Sequence, residues 1–265
     1  MSSQQPVPDH SGKLGTMVAV VTGASRGIGA AVARRFAAEG ATAIIAHHPS
    51  PSMTAMARAV ADEINDSGGR ASPVALDVAS PASVAEAFQL IRDLAGPVDV
   101  LVNNAAQTLR KPWEHIGLAE WDSIMDVNVR GAFLCCRAAY ADMAERKRGV
   151  YLMVGSVEAA LGRAGGLAYV TSKAALVGFT RSLAREVGPK NIRANLVMLG
   201  AVRTEAEIEF DPDGSATAER LAGRQSLPGR LGPQDVAGVF AFLASKDSAH
   251  ITGQVLNVDR GWVNY

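Results

Sequence analysis

Residues 17–40, MVAVVTGASRGIGAAVARRFAAEG, constrain this chain more than any other stretch. Val18–Val21 is a short, almost wholly apolar run, the pattern of a strand buried on both faces. Thr22 to Gly29 then supplies three glycines, and after them Ile28, Val32 and Phe36 recur at helical spacing. Gly40 stands where a left-handed residue ends a helix. The glycines therefore sit where a strand turns into a helix. Backbone N–H groups point outward there and the helix dipole favours an anion, so the place suits a phosphate. Gly23 permits the tight turn, Gly27 close approach of the backbone, and Gly29 close packing of helix on strand. The spacing is G-x-x-x-G-x-G rather than the commoner G-x-G-x-x-G.

Strand and helix patterns alternate along the rest of the chain. Thr42–Ala46, Val74–Leu76, Val98–Val102, Gly149–Val154, Ile192–Val197 and Gln254–Val258 read as further strands. Between them, helical stripes run through Met53, Met56, Ala57, Val60 and Ile64, and then through Val84, Phe88 and Ile91 behind a Ser80–Pro81 cap. Longer helices are expected over Glu120–Arg146 and Ala168–Val187, and a last one after Gly232-Pro233. Such alternation predicts a parallel sheet of about seven strands with helices on both faces, in a single domain over residues 15–265. Residues 1–14 are polar, with Pro6 and Pro8, and read as a disordered tail rather than a signal peptide. The longest irregular connection, 199–229, has the length of a functional lid.

Composition narrows the partners. Lys plus Arg and Asp plus Glu both number 26, so nothing points to nucleic acid or an anionic membrane. No apolar run is long enough to span a bilayer. Cys135 and Cys136 are adjacent inside a helical pattern, which suits neither zinc nor a mutual disulfide, so no metal site is expected. Buried free thiols fit a cytoplasmic protein.

In sheets of this kind ligands bind beyond the carboxyl ends of the strands. The residues falling there are Thr22–Gly29, His47 and His48, Asp77, Asn103–Ala106, Gly155-Ser156 and Leu199–Thr204. Tyr169 and Lys173, four apart on an expected helix, share one face. A lysine ammonium beside a phenol lowers its pKa toward the neutral range, which makes a tyrosine serviceable as a general acid–base. Ser156, at a strand end thirteen residues earlier, either holds a substrate carbonyl or caps a turn. Asn128, in DVNVRGAF, either disturbs the helix backbone and holds a water, or faces solvent.

Taken together, TGASRGIG at Thr22–Gly29, NNAA at Asn103–Ala106, Asn128, Ser156 and YVTSK at Tyr169–Lys173 resemble the short-chain dehydrogenase/reductase family, from Met17 to the C-terminus. The resemblance implies a Rossmann-type doubly wound fold and hydride transfer between a nicotinamide cofactor and a ketone or secondary alcohol. It implies that Tyr169 exchanges the proton and Ser156 orients the substrate oxygen. Lys173 would hold the nicotinamide ribose and depress the Tyr169 pKa, and Asn128 would anchor a water relay to Lys173. Cofactor contacts are implied at Gly23, Ser25, Arg26, Gly27, Ile28 and Gly29, at His47 and His48, and at Asp77 and Val78 near the adenine. Asn104, Ala105 and Ala106 would form the floor, with Gly200, Val202 and Thr204 by the pyrophosphate. Ala106 stands where the family usually has glycine, and its methyl would crowd the cofactor or shift the following loop; Leu199 stands where the family usually has proline, so a looser lid is expected.

The substrate pocket falls by position to Gln107, Ser156, Glu158, Tyr169 and Val202, with Trp113 and Leu161 beside them. Five lid acids, Glu205, Glu207, Glu209, Asp211 and Asp213, form either a solvated face or a wall that repels an acidic acyl carrier. No carboxylate ends the second strand, where one would bind the ribose hydroxyls of NAD; the run is Ala46-His47-His48. Arg26 and His48 instead suit a 2′-phosphate, so NADP(H) is expected over NAD(H). The alternative is a catalytically weak binding protein that senses nicotinamide redox state; the intact Tyr169 and Lys173 argue against it. A longer epimerase-type relative would need a larger C-terminal domain than the residues after Val197 provide. Pairing of the two long helices across a two-fold axis, in a homotetramer or homodimer, follows from the resemblance.

Overall fold

A computed structural model describes residues 12–209 and 211–264. The strands are β1 (Val18–Thr22), β2 (Thr42–His47), β3 (Arg70–Ala75), β4 (Val100–Asn103), β5 (Gly149–Ser156), β6 (Ile192–Leu199) and β7 (Val255–Val258). They form one parallel sheet in the order β3-β2-β1-β4-β5-β6-β7. The order reverses between β1 and β4, which opens the crevice where ligands of doubly wound sheets bind.

Helices cover both faces. On one side lie α1 (Gly27–Ala38), α2 (Pro51–Asp66) and, much later in the chain, Pro233–Ala244. On the other lie α3 (Pro81–Ala95) and two long helices, Gly131–Arg146 and Leu167–Val187. Alternate strand residues serve the two layers. Val21, Ile45, Val102, Leu152 and Val197 meet Phe36, Val236 and Phe240, while Val20, Ile44, Leu101, Met153 and Leu196 meet Phe88, Ile91 and Met143. That is why the strands read as continuous apolar runs rather than as alternating ones.

The boundaries that differ most from the sequence reading are these. β3 begins at Arg70 instead of Val74, because it is an edge strand, where polar residues and Pro73 are tolerated. β5 and β6 each run two residues further, so Ser156 and Leu199 are paired to each other at the very ends. Leu199 is buried and its carbonyl accepts from Val157 N–H at 2.9 Å, so the residue replacing proline extends the strand. The helix expected over Glu120–Arg146 is α4 (Leu118–Met125), a π turn (Asp126–Arg130) and α5 (Gly131–Arg146).

The remaining helices are α6 (Glu158–Leu161), α7 (Leu167–Val187), α8 (Glu205–Ile208), α9 (Ser215–Leu221) and α10 (Pro233–Ala244). α8 and α9 lie in the lid. Of the tail expected over 1–14, residues 1–11 fall outside the described residues. Leu14 is part of the domain: its side chain is buried and its N–H donates to Glu39 O at 2.9 Å. No helix among the described residues is long and apolar enough to cross a membrane.

Candidate active site

The glycine turn is built as its sequence requires. Gly23 and Gly27 take φ of +62° and +60°, which favours glycine. Gly29 has no room for a side chain: a Cβ would lie 2.5 Å from Gly23 O and 2.6 Å from Asn104 Nδ2. Gly29 thus packs against the turn and β4, not against β1 alone. Thr22 ties these parts together. Its hydroxyl accepts from the N–H groups of Asn104 and Ala105, both at 3.0 Å, while Asn104 Nδ2 donates to Thr22 O and Gly23 O. The sequence reading placed Thr22 at the rim, in Thr22–Gly29, but gave its hydroxyl no role; the signal was a hydroxyl at the end of a buried strand.

A cleft of about 1060 Å³ opens beyond these strand ends. Gly23, Ser25, Arg26, Gly27 and Ile28 line one side, with His48, Asp77 and Val78 further along. Asn104, Ala105, Ala106 and Gln107 form the floor, Tyr169 closes the inner end and Thr204 reaches over from the lid. Bare glycine backbone at a helix start, and a cleft of this size, fit a nicotinamide dinucleotide. Met53, Thr108, Asp122 and Ser123 also line the cleft and were not anticipated. Ser25 Oγ donates to Met53 Sδ at 3.2 Å, so this methionine from α2 is a cleft wall rather than core filling.

Besides Gly29 and Lys173, three further expected cofactor contacts are absent from the cleft lining. His47 is buried at the end of β2, where its Nδ1 and the His48 carbonyl are 2.9 Å apart. Val202 is buried against the α1–α10 layer and bridges to Leu231. Gly200 faces Asp259 and its N–H donates to Val258 O. His47 and Val202 are thereby turned inward, while the Gly200 main chain stays paired to β7. Of the residues placed near the substrate by position, Trp113 is 70% exposed and Leu161 50% exposed, on the outer surface.

Asn128 is buried in the π turn. Its Oδ1 accepts from Gln107 N–H at 2.7 Å, and its Nδ2 donates to Gln107 O and to Ser172 Oγ, both at 2.9 Å. Ser172 in turn donates to Tyr169 O at 2.7 Å. Asn128 therefore fastens the floor of the cleft to the helix carrying the tyrosine. Its amide makes no bond to Lys173.

Tyr169 and Lys173 stack on one face of α7, with the Lys173 Nζ 5.7 Å from the tyrosine ring centre. Lys173 is buried and donates to Val154 O at 2.8 Å. Burial lowers its pKa to about 8. The expected lowering of the Tyr169 pKa is not found: burial, with the Glu158 carboxylate adding to it, pushes it up to about 12. A hydrogen bond with Ser156 and the charge of Arg163 pull the other way. The physical reason is position, since Lys173 turns to β5 rather than to the phenol oxygen. Ser156 Oγ accepts from Glu158 N–H at 3.2 Å, which occupies its acceptor side and leaves its proton to point at Tyr169 or a substrate oxygen.

Comparison with known proteins agrees with this geometry. A family model described as enoyl-(acyl carrier protein) reductase matches residues 23–263. The 3-oxoacyl-[acyl-carrier-protein] reductase FabG of Aquifex aeolicus is 35% identical over 252 residues, covering 94% of this chain and 98% of the relative. The chain belongs to the short-chain dehydrogenase/reductase family. The short-chain reductase protein NovJ of Streptomyces niveus is 37% identical, over 92% of this chain and 93% of its own. Among solved structures, a blue fluorescent protein from a metagenomic library, in complex with NADPH, is 40% identical, with a TM-score of 0.87 over 95% of this chain and all of its own. A short-chain type dehydrogenase/reductase from Mycobacterium marinum matches with a TM-score of 0.87 at 32% identity, over 96% of this chain and 98% of its own. This short-chain dehydrogenase/reductase is thus an NAD(P)-dependent oxidoreductase acting on carbonyl and hydroxyl groups.

Proposed function

We propose that the protein reduces a ketone to a secondary alcohol, preferring NADP(H) to NAD(H), with Tyr169 as the proton donor. The observation that carries this reading is Tyr169 in the wall of the glycine-lined cleft, with Lys173 one turn further along the same helix. When bound, the reduced nicotinamide supplies the hydride. Ser156 Oγ–H donates to the substrate oxygen and Tyr169 delivers its proton to that oxygen as charge develops there. One Lys173 N–H is spent on Val154 O; the others are left for the cofactor ribose and for a path that reprotonates Tyr169. Because the Asn128 amide is committed to Gln107 and Ser172, a relay water would rest on the main chain of the π turn.

The cofactor choice rests on Arg26 at the rim of the glycine turn, on the lack of a carboxylate at the end of β2, and on the NADPH complex of a 40% identical relative. Small-molecule ketones are the substrate class, and the working form is a homotetramer or homodimer built on α5 and α7. Measuring kcat/KM for NADPH and NADH with a ketone panel, in the wild type and Tyr169→Phe, tests the proposal. Turnover should fall at least about 100-fold in the variant with cofactor affinity nearly kept. A variant retaining a tenth of the rate refutes the proton donor, and a preference for NADH in the wild type refutes the cofactor.

A further inference from the structure

The start of α1 offers the cleft a bare helix end, and the lid brings a carboxylate of this chain to it. Arg26, the residue before α1, makes no side-chain capping bond, and the first turn of α1 carries no acidic side chain. An uncapped helix start leaves N–H groups pointing outward and favours negative charge. Glu205, the first residue of α8, lines the cleft at this point. Its Oε2 lies 3.5 Å from where a Cβ on Gly27 would stand, and Thr204 Cγ2 lies at the same distance. Gly27 is the residue whose missing side chain lets a phosphate approach the backbone.

A second carboxylate comes from the same segment of the lid. Glu209 stands four residues after Glu205, one helical turn on, and accepts from Arg26 Nη1 at 2.8 Å. Arg26 is itself part of the cleft lining. Between the two, Glu207 turns away and holds Arg230 through bonds of 2.5 and 2.8 Å, while its N–H donates to the Thr204 hydroxyl. α8 is thus anchored on one side and applies two carboxylates to the glycine turn on the other. Carboxylate and phosphate oxygens compete for the same donors, here main-chain N–H groups and a guanidinium. An apolar side chain at these positions would only narrow the cleft, whereas a carboxylate opposes an anionic ligand in particular.

We propose that α8 is an autoinhibitory plug: Glu205 stands in for the cofactor diphosphate at the start of α1 and Glu209 for a 2′-phosphate at Arg26, so the dinucleotide binds by turning both carboxylates out. The Glu205 half rests on the assignment of the cleft to a nicotinamide dinucleotide, and the Glu209 half also on the NADP(H) reading above. Fluorescence titration with NADH and with NADPH tests it in the wild type, Glu205→Gln, Arg26→Ala and Glu219→Gln. The last removes the same charge from α9, outside the cleft lining. Glu205→Gln should tighten NADH and NADPH alike, by about two- to fivefold, the worth of one carboxylate at a helix start. Glu219→Gln should leave both affinities at the wild-type values.

Thermal melting gives a second, independent reading. The Glu205 carboxylate stabilises the protein only while it faces α1, so Glu205→Gln should melt below the wild type without cofactor and level with it at saturating NADH. Unchanged or weaker NADH binding in Glu205→Gln overturns the plug, because the carboxylate is then indifferent to the cofactor or one of its contacts. Equal tightening in Glu219→Gln overturns it as well, by reducing the effect to net charge. If Arg26→Ala leaves NADPH affinity untouched, the Glu209 half falls with the 2′-phosphate reading and the Glu205 half stands. A wild type and variants that bind neither dinucleotide would sink the cofactor reading and the plug with it.

Discussion

At Lys173 and Tyr169, burial works in opposite directions on a base and an acid. Lys173 sits at about 8, below its ordinary 10.5, and Tyr169 at about 12, above its ordinary 10. Tyr169 therefore keeps its proton across the neutral range, which suits reduction. Lys173 helps only while charged, by favouring the tyrosinate left behind. Reduction kcat/KM should be flat below about pH 8 and decline above it as the lysine loses its charge, and Lys173→Met should remove that break and lower the plateau. A pH profile from 6 to 10 reads both. Stability carries the same signature with a definite sign. Between about 8 and 10.5 the unfolded lysine still holds a proton that the folded one has released, so Lys173 contributes a gain in stability as pH rises through that window. Comparing melting temperatures at pH 8 and pH 10 in wild type and Lys173→Met checks it; an equal pH response in the two proteins refutes it. The Tyr–Lys spacing was readable in the sequence. The direction in which Lys173 points was not, because it is set by the Val154 carbonyl on a strand far away in the chain.

Among the elements, the α4–π–α5 rod and the lid show what a periodic pattern can and cannot convey. Apolar periodicity revealed a helix over 120–146, and Asn128 hinted at trouble inside it. The π turn itself depends on the three bonds Asn128 makes to Gln107 and Ser172, which only the tertiary structure brings near. Asn128→Ala would remove both bonds to the Gln107 main chain and take a partner from the buried Ser172 hydroxyl, and should cost about 1–3 kcal/mol, visible as a lower urea midpoint with an unchanged slope. In the lid, Glu205 lines the cleft beside Gly27, while the other four acids are tied to partners rather than forming a wall. Glu207 pairs with Arg230 at 2.5 Å, Asp211 and Asp213 accept from Thr217 and Ser215 N–H, and Glu209 pairs with Arg26 at 2.8 Å. The last bond matters for the cofactor, because Glu209 competes with a 2′-phosphate for the cation at the cleft rim. Such an exposed pair is worth under about 1 kcal/mol, so Glu209→Gln should tighten NADPH binding by up to a few-fold and leave NADH unaffected. Fluorescence titration with both cofactors decides it. An unchanged NADPH affinity in Glu209→Gln, alongside a loss in Arg26→Ala, would exclude the competition while keeping Arg26 as the phosphate contact.

For the whole molecule, the βα alternation made the sheet, its two covered faces and the rim of strand ends legible, because fully buried parallel strands leave unbroken apolar runs. What stayed hidden was whatever depends on which way a side chain turns at that rim, as with His47 and Val202, and on charges meeting across the lid, as with Arg26 and Glu209. The outer faces of α5 and α7 raise the remaining question of assembly. Phe133 and Tyr140 of α5 are 46% and 39% exposed, and with Phe179 and Leu183 of α7 they line a groove of about 360 Å³. Isolated surface aromatics are unexceptional, but aromatic and aliphatic side chains gathered on two adjacent helices form a patch of the kind that association covers. The stripes run along both helices, so a second copy related by a two-fold axis would set Phe133 and Phe179 against their own counterparts, an isologous contact. Arg137 and Glu186 at the groove edge supply opposite charges that the same axis would bring together. Phe133→Glu combined with Phe179→Glu should therefore place like charges at the centre of the contact and dissociate the oligomer. Sedimentation velocity at micromolar concentration should show the wild type above monomer mass and the double variant at it, with far-UV circular dichroism unchanged. A monomeric wild type would dispose of the two-fold contact, and a variant that keeps its oligomeric mass would move the interface to another face.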